Sequence, residues 1–337
     1  MGSRMKRRVL AALLALLALL PALAAAQATA PSAVPKFPSK PIRWIVPFPP
    51  GGPTDTFSRA GAQKLSELLK QPVIVENRAG AGAAIGMEAL ARSPADGYTI
   101  GLSTTGSHAI NPHLYARLAY DPVKDFAPIT LAISYVNVLV VNPALSVSNV
   151  AELVAYAKAN PGKGTFGSAG NGSSNHLFGE VLKSLTGAPM QHVPYKGSAA
   201  ALTDVIGGNL AFMFDILNVS GPQMRAGRVR GLAVASTKRT PYFPELPTLA
   251  EAGVRGFEEI GADLWFGIMA PAGTPRPVIA RLNEALITGL RSPDMRERIR
   301  AQSLDIWTST PEEFAAVLKS DLARWGKVVK SSGMRVD

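Results

Sequence analysis

The feature that most constrains this chain is a unit of strand, glycine-bearing loop and helix that recurs along its length. Ile42-Arg43-Trp44-Ile45-Val46 reads as a buried strand, broken by the segment Pro47 to Pro53. Thr54 and Asp55 then open a helix with Phe57, Ala60, Leu65, Leu68 and Leu69 at near-helical spacing. Val73 to Val75 is a second strand, followed by Asn77-Arg78-Ala79-Gly80-Ala81-Gly82 and a helix through Met87 to Ala91. Tyr98 to Leu102 is a third, ending at Ser103-Thr104-Thr105-Gly106-Ser107. The pattern restarts with an apolar strand, Val136 to Val141, and a helix from Asn149 to Ala159. Thr165-Phe166 then leads into Gly167-Ser168-Ala169-Gly170-Asn171-Gly172-Ser173-Ser174-Asn175 and a helix reaching about Leu185. Further strands are expected at Val193 to Tyr195, Leu210 to Asp215 and Gly231 to Ser236, with Lys196-Gly197-Ser198 opening a helix after the first of them.

Alternation of this kind predicts an α/β fold with mostly parallel sheets covered by helices. Two successive sets predict two domains. Asp125 to Asn142 holds a long extended apolar stretch suited to crossing between them, and Leu264 to Met269 is the candidate return. The remainder is read as helical, Pro277 to Leu290 and Pro311 to roughly Val329. The expected organisation is one lobe from 38–137 plus 260–337, with the other, 138–259, inserted in it.

The first 26 residues are read as an export signal. Arg4, Lys6, Arg7 and Arg8 precede a short apolar run, Val9 to Leu20, and Ala24-Ala25-Ala26 offers small residues for cleavage. The apolar run is shorter than the roughly 20 residues of a membrane span. Residues 27–37, rich in Ala, Pro and Ser, are expected to be a flexible lead-in. This predicts a periplasmic protein. The chain has no cysteine, which excludes disulfides, thiolate metal sites, thiol nucleophiles and a lipidated cysteine. Removing residues 1–26 takes away four basic and no acidic residues, so the formal charge falls from +11 to +7. The remaining basic residues form no run of five or more, unlike the clustered stripe of a nucleic-acid binder. No nucleic-acid partner is expected.

Each informative loop joins the C-terminal end of a strand to the N-terminus of a helix, the place where open α/β sheets bind ligands. The first turn of a helix leaves backbone N–H groups unpaired and carries about half a positive charge, which favours an anion. Glycine lets a ligand approach the backbone. Any one loop is better explained as a turn with a helix cap; several with clustered Gly, Ser and Thr point to a shared site. Other chemistries fit less well. Gly80-x-Gly82-x-x-x-Gly86 has no acidic partner after the next strand for a ribose. No Gly-Lys-Ser/Thr phosphate loop and no Gly-x-Ser-x-Gly elbow occurs. His108, His113, His176 and His192 lack the spacing of a zinc pair. No metal and no cofactor is expected. His176 lies near the second glycine loop and is read as either a ligand contact or a packed residue. Asp55 suits the dipole of its helix, and Asp215 either a polar ligand group or a turn cap.

The segment Lys40-Pro41-Ile42-Arg43 through Pro47-Phe48-Pro49-Pro50-Gly51-Gly52-Pro53-Thr54-Asp55 resembles the Bug-type solute receptors of tripartite tricarboxylate transporters. So do Glu76 to Gly82, Asp96-Gly97-Tyr98-Thr99, Asp125-Phe126, Gly172 to Leu177, Val193 to Gly197, Leu246 to Gly253 and Ala270 to Pro275, in order along the chain. Ala83-Ala84 departs from the family, which often has Gly and a polar residue there. The resemblance implies a type II periplasmic-binding-protein fold, with two α/β lobes, a two-strand hinge and the ligand cleft between them. It implies a di- or tricarboxylate or related organic acid as ligand, gripped by the Pro50–Asp55 loop partly through ordered waters. Carried onto this sequence, the expected contacts are Gly52, Thr54 and Asp55 from the first loop. Ser168, Asn171, Gly172, Ser173, Tyr195 and Asp215 are expected from the facing lobe, with Thr104 and Thr105 secondary.

The function so implied is capture of a small carboxylate and its delivery to the membrane subunits of a tripartite transporter, by a monomer without catalytic residues. The alternatives are a periplasmic sensor feeding a signalling receptor, and a hydrolase using Ser168 or Ser173 with His176.

Overall fold

The computed structural model describes residues 37–260 and 264–335. The export signal expected over 1–26 and all but the last residue of the lead-in lie outside the described residues. Two β-sheets organise the rest. In the first, β1 (Ile42–Val46) pairs in parallel with β2 (Val73–Asn77) and β3 (Thr99–Thr104). Helices α1 (Pro53–Leu69) and α2 (Ala84–Ala91) make the connections between them. The sheet continues with β10 (Leu264–Pro271), β4 (Phe126–Tyr135) and β11 (Asp305–Ile306), all antiparallel to their neighbours, in the order β11-β4-β10-β3-β1-β2.

The second sheet has the order β7-β6-β8-β5-β9. Here β6 (Thr165–Ser168) is parallel to β7 (Gln191–Pro194) and β8 (Phe212–Ile216). Strand β5 (Asn137–Val141) is antiparallel to β8 and to β9 (Arg230–Ala235). Both sheets are therefore mixed rather than mostly parallel. The reason is the crossing. Val136 alone separates β4 in one sheet from β5 in the other. A strand that arrives from the other lobe needs no helical crossover, so nothing forces it parallel. The chain crosses back between β9 and β10.

The helices expected from sequence are present: α4 (Val150–Ala159), α5 (Ser174–Thr186), α6 (Ser198–Ile206), α9 (Arg276–Leu290) and α11 (Pro311–Ser332). The structure adds a π-helical turn (Gly106–Ile110), α3 (Asn111–Leu114), α7 (Leu217–Arg225), α8 (Phe257–Ile260) and α10 (Pro293–Ala301). No described helix is long and apolar enough to cross a membrane.

Each sheet has its own core. One contains Ile45, Met87, Leu90, Phe126, Trp265, Phe314 and Leu318; the other contains Val138, Val140, Leu202, Val205, Met213, Val234 and Phe243. Helix α11 starts with a capping box, Thr310 accepting from the Glu313 amide and Glu313 from the Thr310 amide. It holds β10 through Trp265, whose Nε1 donates to Asp321 at 2.7 Å, and through Phe314, edge-on to the Trp265 ring at 5.1 Å. Gly267 belongs to this contact, because a Cβ there would collide with the Phe314 ring. Phe314→Ala is expected to destabilise the protein by about 3–5 kcal/mol through the cavity it opens, read as a lower denaturant midpoint with an unchanged slope.

Candidate ligand-binding site

Loops from both sheets converge on a cavity of about 300 Å³. The first is the β1–α1 loop. Its shape is fixed by Asp55, which is buried and accepts from the Gly51 amide (3.0 Å), Arg59 Nε (3.0 Å) and Asn77 Nδ2 (2.9 Å). Asn77 Nδ2 also donates to the Phe48 carbonyl. Burial pushes the Asp55 carboxyl up, but Arg59, the Gly51 amide and Asn77 together outweigh it and hold the pKa below the usual value. Asp55 thus stays ionised and fully engaged. It does not line the cavity; it braces the loop whose Phe48, Pro49, Pro50, Gly52 and Thr54 do.

Helix α1 begins at that loop with Gly52 as its cap and no side-chain cap. Helix α6 begins opposite, also with a glycine, Gly197, and no side-chain cap. A Cβ on Gly197 would stand 3.4 Å from Pro49, so the two loops nearly touch. Side chains close the starts of α4, α5 and α11 (Asn149, Ser173 and Thr310), whereas α2, α3, α7, α9 and α10 also start without one; α1 and α6 combine a glycine cap with a place on the cavity wall. A glycine cap costs only a few tenths of a kcal/mol against those residues, and it leaves the first-turn amides open to a ligand. Two hydroxyls sit beside them. Thr54 Oγ1 is buried, at 4 % exposure, and has no hydrogen-bond partner. Ser198, at 5 %, makes no well-formed hydrogen bond from its hydroxyl, although that group lies close enough to Asp215 to lower its pKa.

The third loop is the glycine run before α5. Gly170 and Gly172 are in left-handed conformations that suit glycine. Ser173 donates to the Gly170 carbonyl at 2.7 Å and caps the His176 amide. His176 Nδ1 accepts from the Gly172 amide at 3.3 Å, and its ring stacks on His192 at 3.9 Å. Ser168 Oγ lies 2.6 Å from His192 Nε2 and accepts from the Gly170 amide. Burial, then coupling to His192 and the charge of Lys183, pushes His176 down to about 3, and burial with Lys183 pushes His192 down to about 4, so both rings are neutral near pH 7. The Ser168–His192 pair is turned away from the cavity, and no carboxylate is hydrogen-bonded to His192 among the described residues. It shapes the loop and lacks the orienting group of a nucleophilic triad.

Of the residues expected from sequence, Gly52, Thr54, Thr104, Gly172 and Ser173 line the cavity. Asn171 and Tyr195 line an adjoining crevice of about 400 Å³ instead. The Tyr195 hydroxyl is directed onto Asp204. Asp55, Thr105, Ser168 and Asp215 line neither. Thr105 Oγ1 accepts from the Trp265 amide at 2.9 Å, pinning β3 to β10. Sequence reading missed Phe48, Tyr135, Asn175, Lys196, Ser198, Ile216 and Phe266, which all line the cavity. Lys196 and Ser198 stood in the Lys-Gly-Ser helix start; Tyr135 and Phe266 gave no local signal, because they come from strands that cross between the lobes.

The two sides meet closely. Tyr115 donates to the Asn171 carbonyl at 3.2 Å, and a Cβ at Gly82 would collide with that same oxygen. Behind the cavity, Asp215 is fully buried and accepts from Ser220 at 2.7 Å. Burial pushes it up to about 7, against the lowering by Ser220, the Ile216 amide and Ser198. The fold thus favours the protonated acid. Its contribution to stability is complete below the unfolded value near 3.8 and is lost as pH rises through about 7. Asp215→Asn, uncharged throughout, is expected to remove this component: melting curves from about pH 4 to pH 8 should decline less in the variant than in the wild type.

A family model for the tripartite tricarboxylate transporter family receptor (TctC) matches residues 57–334. Protein BugT of Bordetella pertussis is 38% identical over 301 residues, covering 89% of this chain and 91% of BugT. Among solved structures, Rpa4515 of R. palustris with adipate superposes with a TM-score of 0.84 at 36% identity, covering 89% of this chain and 99% of that one. MatC from Rhodopseudomonas palustris with bound malate gives 0.82 at 30% identity, covering 87% and 100%. The chain belongs to the tripartite tricarboxylate transporter receptor family, as a Bug-type solute-binding receptor of the periplasmic-binding-protein fold rather than an enzyme.

Proposed function

We propose that this receptor captures an organic acid in the cavity between its lobes, closes on it, and presents it to the membrane subunits of a tripartite transporter. Receptors of this family are periplasmic binding proteins, and the periplasm is where this one acts. The export signal over 1–26 is part of the same proposal. So are a monomeric state and the division into 38–137 plus 260–337 and 138–259.

One observation carries the reading of the ligand. Two helix starts without side-chain caps, α1 and α6, face one cavity beside the unpartnered Thr54 hydroxyl, and among the described residues no acidic side chain lines its wall. A carboxylate there would accept from open amides and buried hydroxyls in a low-dielectric setting, where charge-assisted hydrogen bonds are strong. The adipate and malate held by two relatives are acids of the class such a site suits. The proposed contacts are Gly52, Thr54, Gly172, Ser173 and Ser198, with Asn175 and Thr104 beside them. Asp55 acts by bracing the first loop.

A ligand that touches both lobes stabilises the closed form in proportion to its preference for it. Protein freed of retained ligand by unfolding and refolding should melt at higher temperature with the right acid, by about 2.7 kcal/mol of stabilisation at 100-fold excess over Kd. Thr54→Val should lower affinity by roughly tenfold or more, the loss of a hydrogen bond to a charged group, and leave the ligand-free melting temperature nearly unchanged. A panel of carboxylates that shifts no melting curve would sink the reading. Closure is tested separately. Gly82→Ala places a Cβ against the Asn171 carbonyl, so ligand should no longer shrink the radius of gyration in small-angle scattering to the wild-type value.

A further inference from the structure

The wall of the cavity is apolar over most of its area, with polar groups in the minority. The helix starts, the hydroxyls of Thr54, Thr104, Ser173, Ser174 and Ser198 and the Asn175 amide are its polar part. Most of the remainder is apolar: the rings of Phe48, Tyr135 and Phe266, with Pro49, Pro53 and Ile216. Tyr135 and Phe266 are part of one aromatic cluster, with centroids 4.8 Å apart, and Phe57 stands 6.0 Å behind Phe266. Among the described residues, Lys196 is the only charged side chain on this wall, and it is exposed at the rim, where it also lines the adjoining crevice. It takes part in no hydrogen bond or ion pair given by the described side chains.

These features do not suit every acid equally. One buried carboxylate has compensation at the helix starts. A second acid group or a hydroxyl held against the Phe48 and Phe266 rings, away from the Tyr135 hydroxyl, would lose its water and gain no partner there, which is the costly outcome for a polar group. An apolar body gains from the same surface.

We infer that this receptor selects acids whose carboxylate is carried on an apolar body, aromatic or aliphatic, over hydroxylated polycarboxylates such as malate and citrate. The inference rests on reading the cavity as a carboxylate site. A second acid group is accepted where an apolar spine is long enough to bring it to Lys196 at the rim. Phe48 and Lys196 are then the specificity-determining side chains: one covers the body, the other rewards a distal charge.

The test is calorimetric titration of the refolded, ligand-stripped mature chain with benzoate, hexanoate, adipate, malate and citrate. Benzoate, hexanoate or adipate should bind at least tenfold more tightly than malate and citrate. Phe48→Ser, at a half-buried loop position, should weaken benzoate and hexanoate several-fold. Lys196→Gln, at an exposed position, should weaken adipate and leave benzoate and hexanoate as they were. Malate or citrate binding as tightly as the apolar acids would overturn the selectivity and leave carboxylate capture standing. So would unchanged affinity for benzoate and hexanoate in Phe48→Ser. Absence of binding by all five would overturn carboxylate capture itself.

Discussion

Open peptide amides at the starts of two helices are the constraint around which this receptor is arranged. A helix start buried without a partner is unfavourable, and most proteins satisfy it with a serine, threonine or aspartate side chain. Here α1 and α6 have glycine at that position and stand on opposite sides of one cavity. The amides cannot satisfy each other, since all are donors. Water, or an anion reaching both starts, would satisfy them. Under the proposed closure such an anion would interact differently with the two states, which is the physical requirement for a ligand-driven change of shape.

The rest of the architecture keeps those donors in place. Asp55 spends its charge on the Gly51 amide, Arg59 and Asn77 and so fixes the β1–α1 loop. The Ser168–His192–His176 group does the same for the loop before α5 without contributing any charge of its own. Neither reaches the cavity wall. The division is sensible energetically: an ionised aspartate beside a bound carboxylate would repel it, whereas the same aspartate one layer back, neutralised by Arg59 and amides, costs the ligand little. The mixed sheets follow from the same plan. Strands that cross between the lobes must enter each sheet from outside, and they bring Tyr135 and Phe266 to the cavity from the crossing strands themselves.

Much of the fold was legible because its signals are local. Apolar runs of strand length, near-helical spacing of leucines and glycine loops at strand ends marked most elements within a few residues. What escaped had its local signal obscured or supplied from elsewhere. Helix α7 carries Pro222 and Gly221, residues that read as breaks, yet it is held by packing of Leu217 and by Gly221 against Phe243. The two-residue β11 exists only because β4 offers it a ladder.

For the site, the sequence by itself determined the chemistry available: which loops would carry glycine, which helices would start with open amides, and that no cysteine would take part. These follow from residue identity and neighbours a few positions away. Only the tertiary structure decided which side chains face the cavity. Thr54 and Asp55 are adjacent, but one looks into the cavity and the other holds its loop from behind. Thr104 and Thr105 divide in the same way. Successive residues at a strand end or helix start point in different directions, and which direction is the cavity depends on how two lobes, built from distant parts of the chain, are brought face to face.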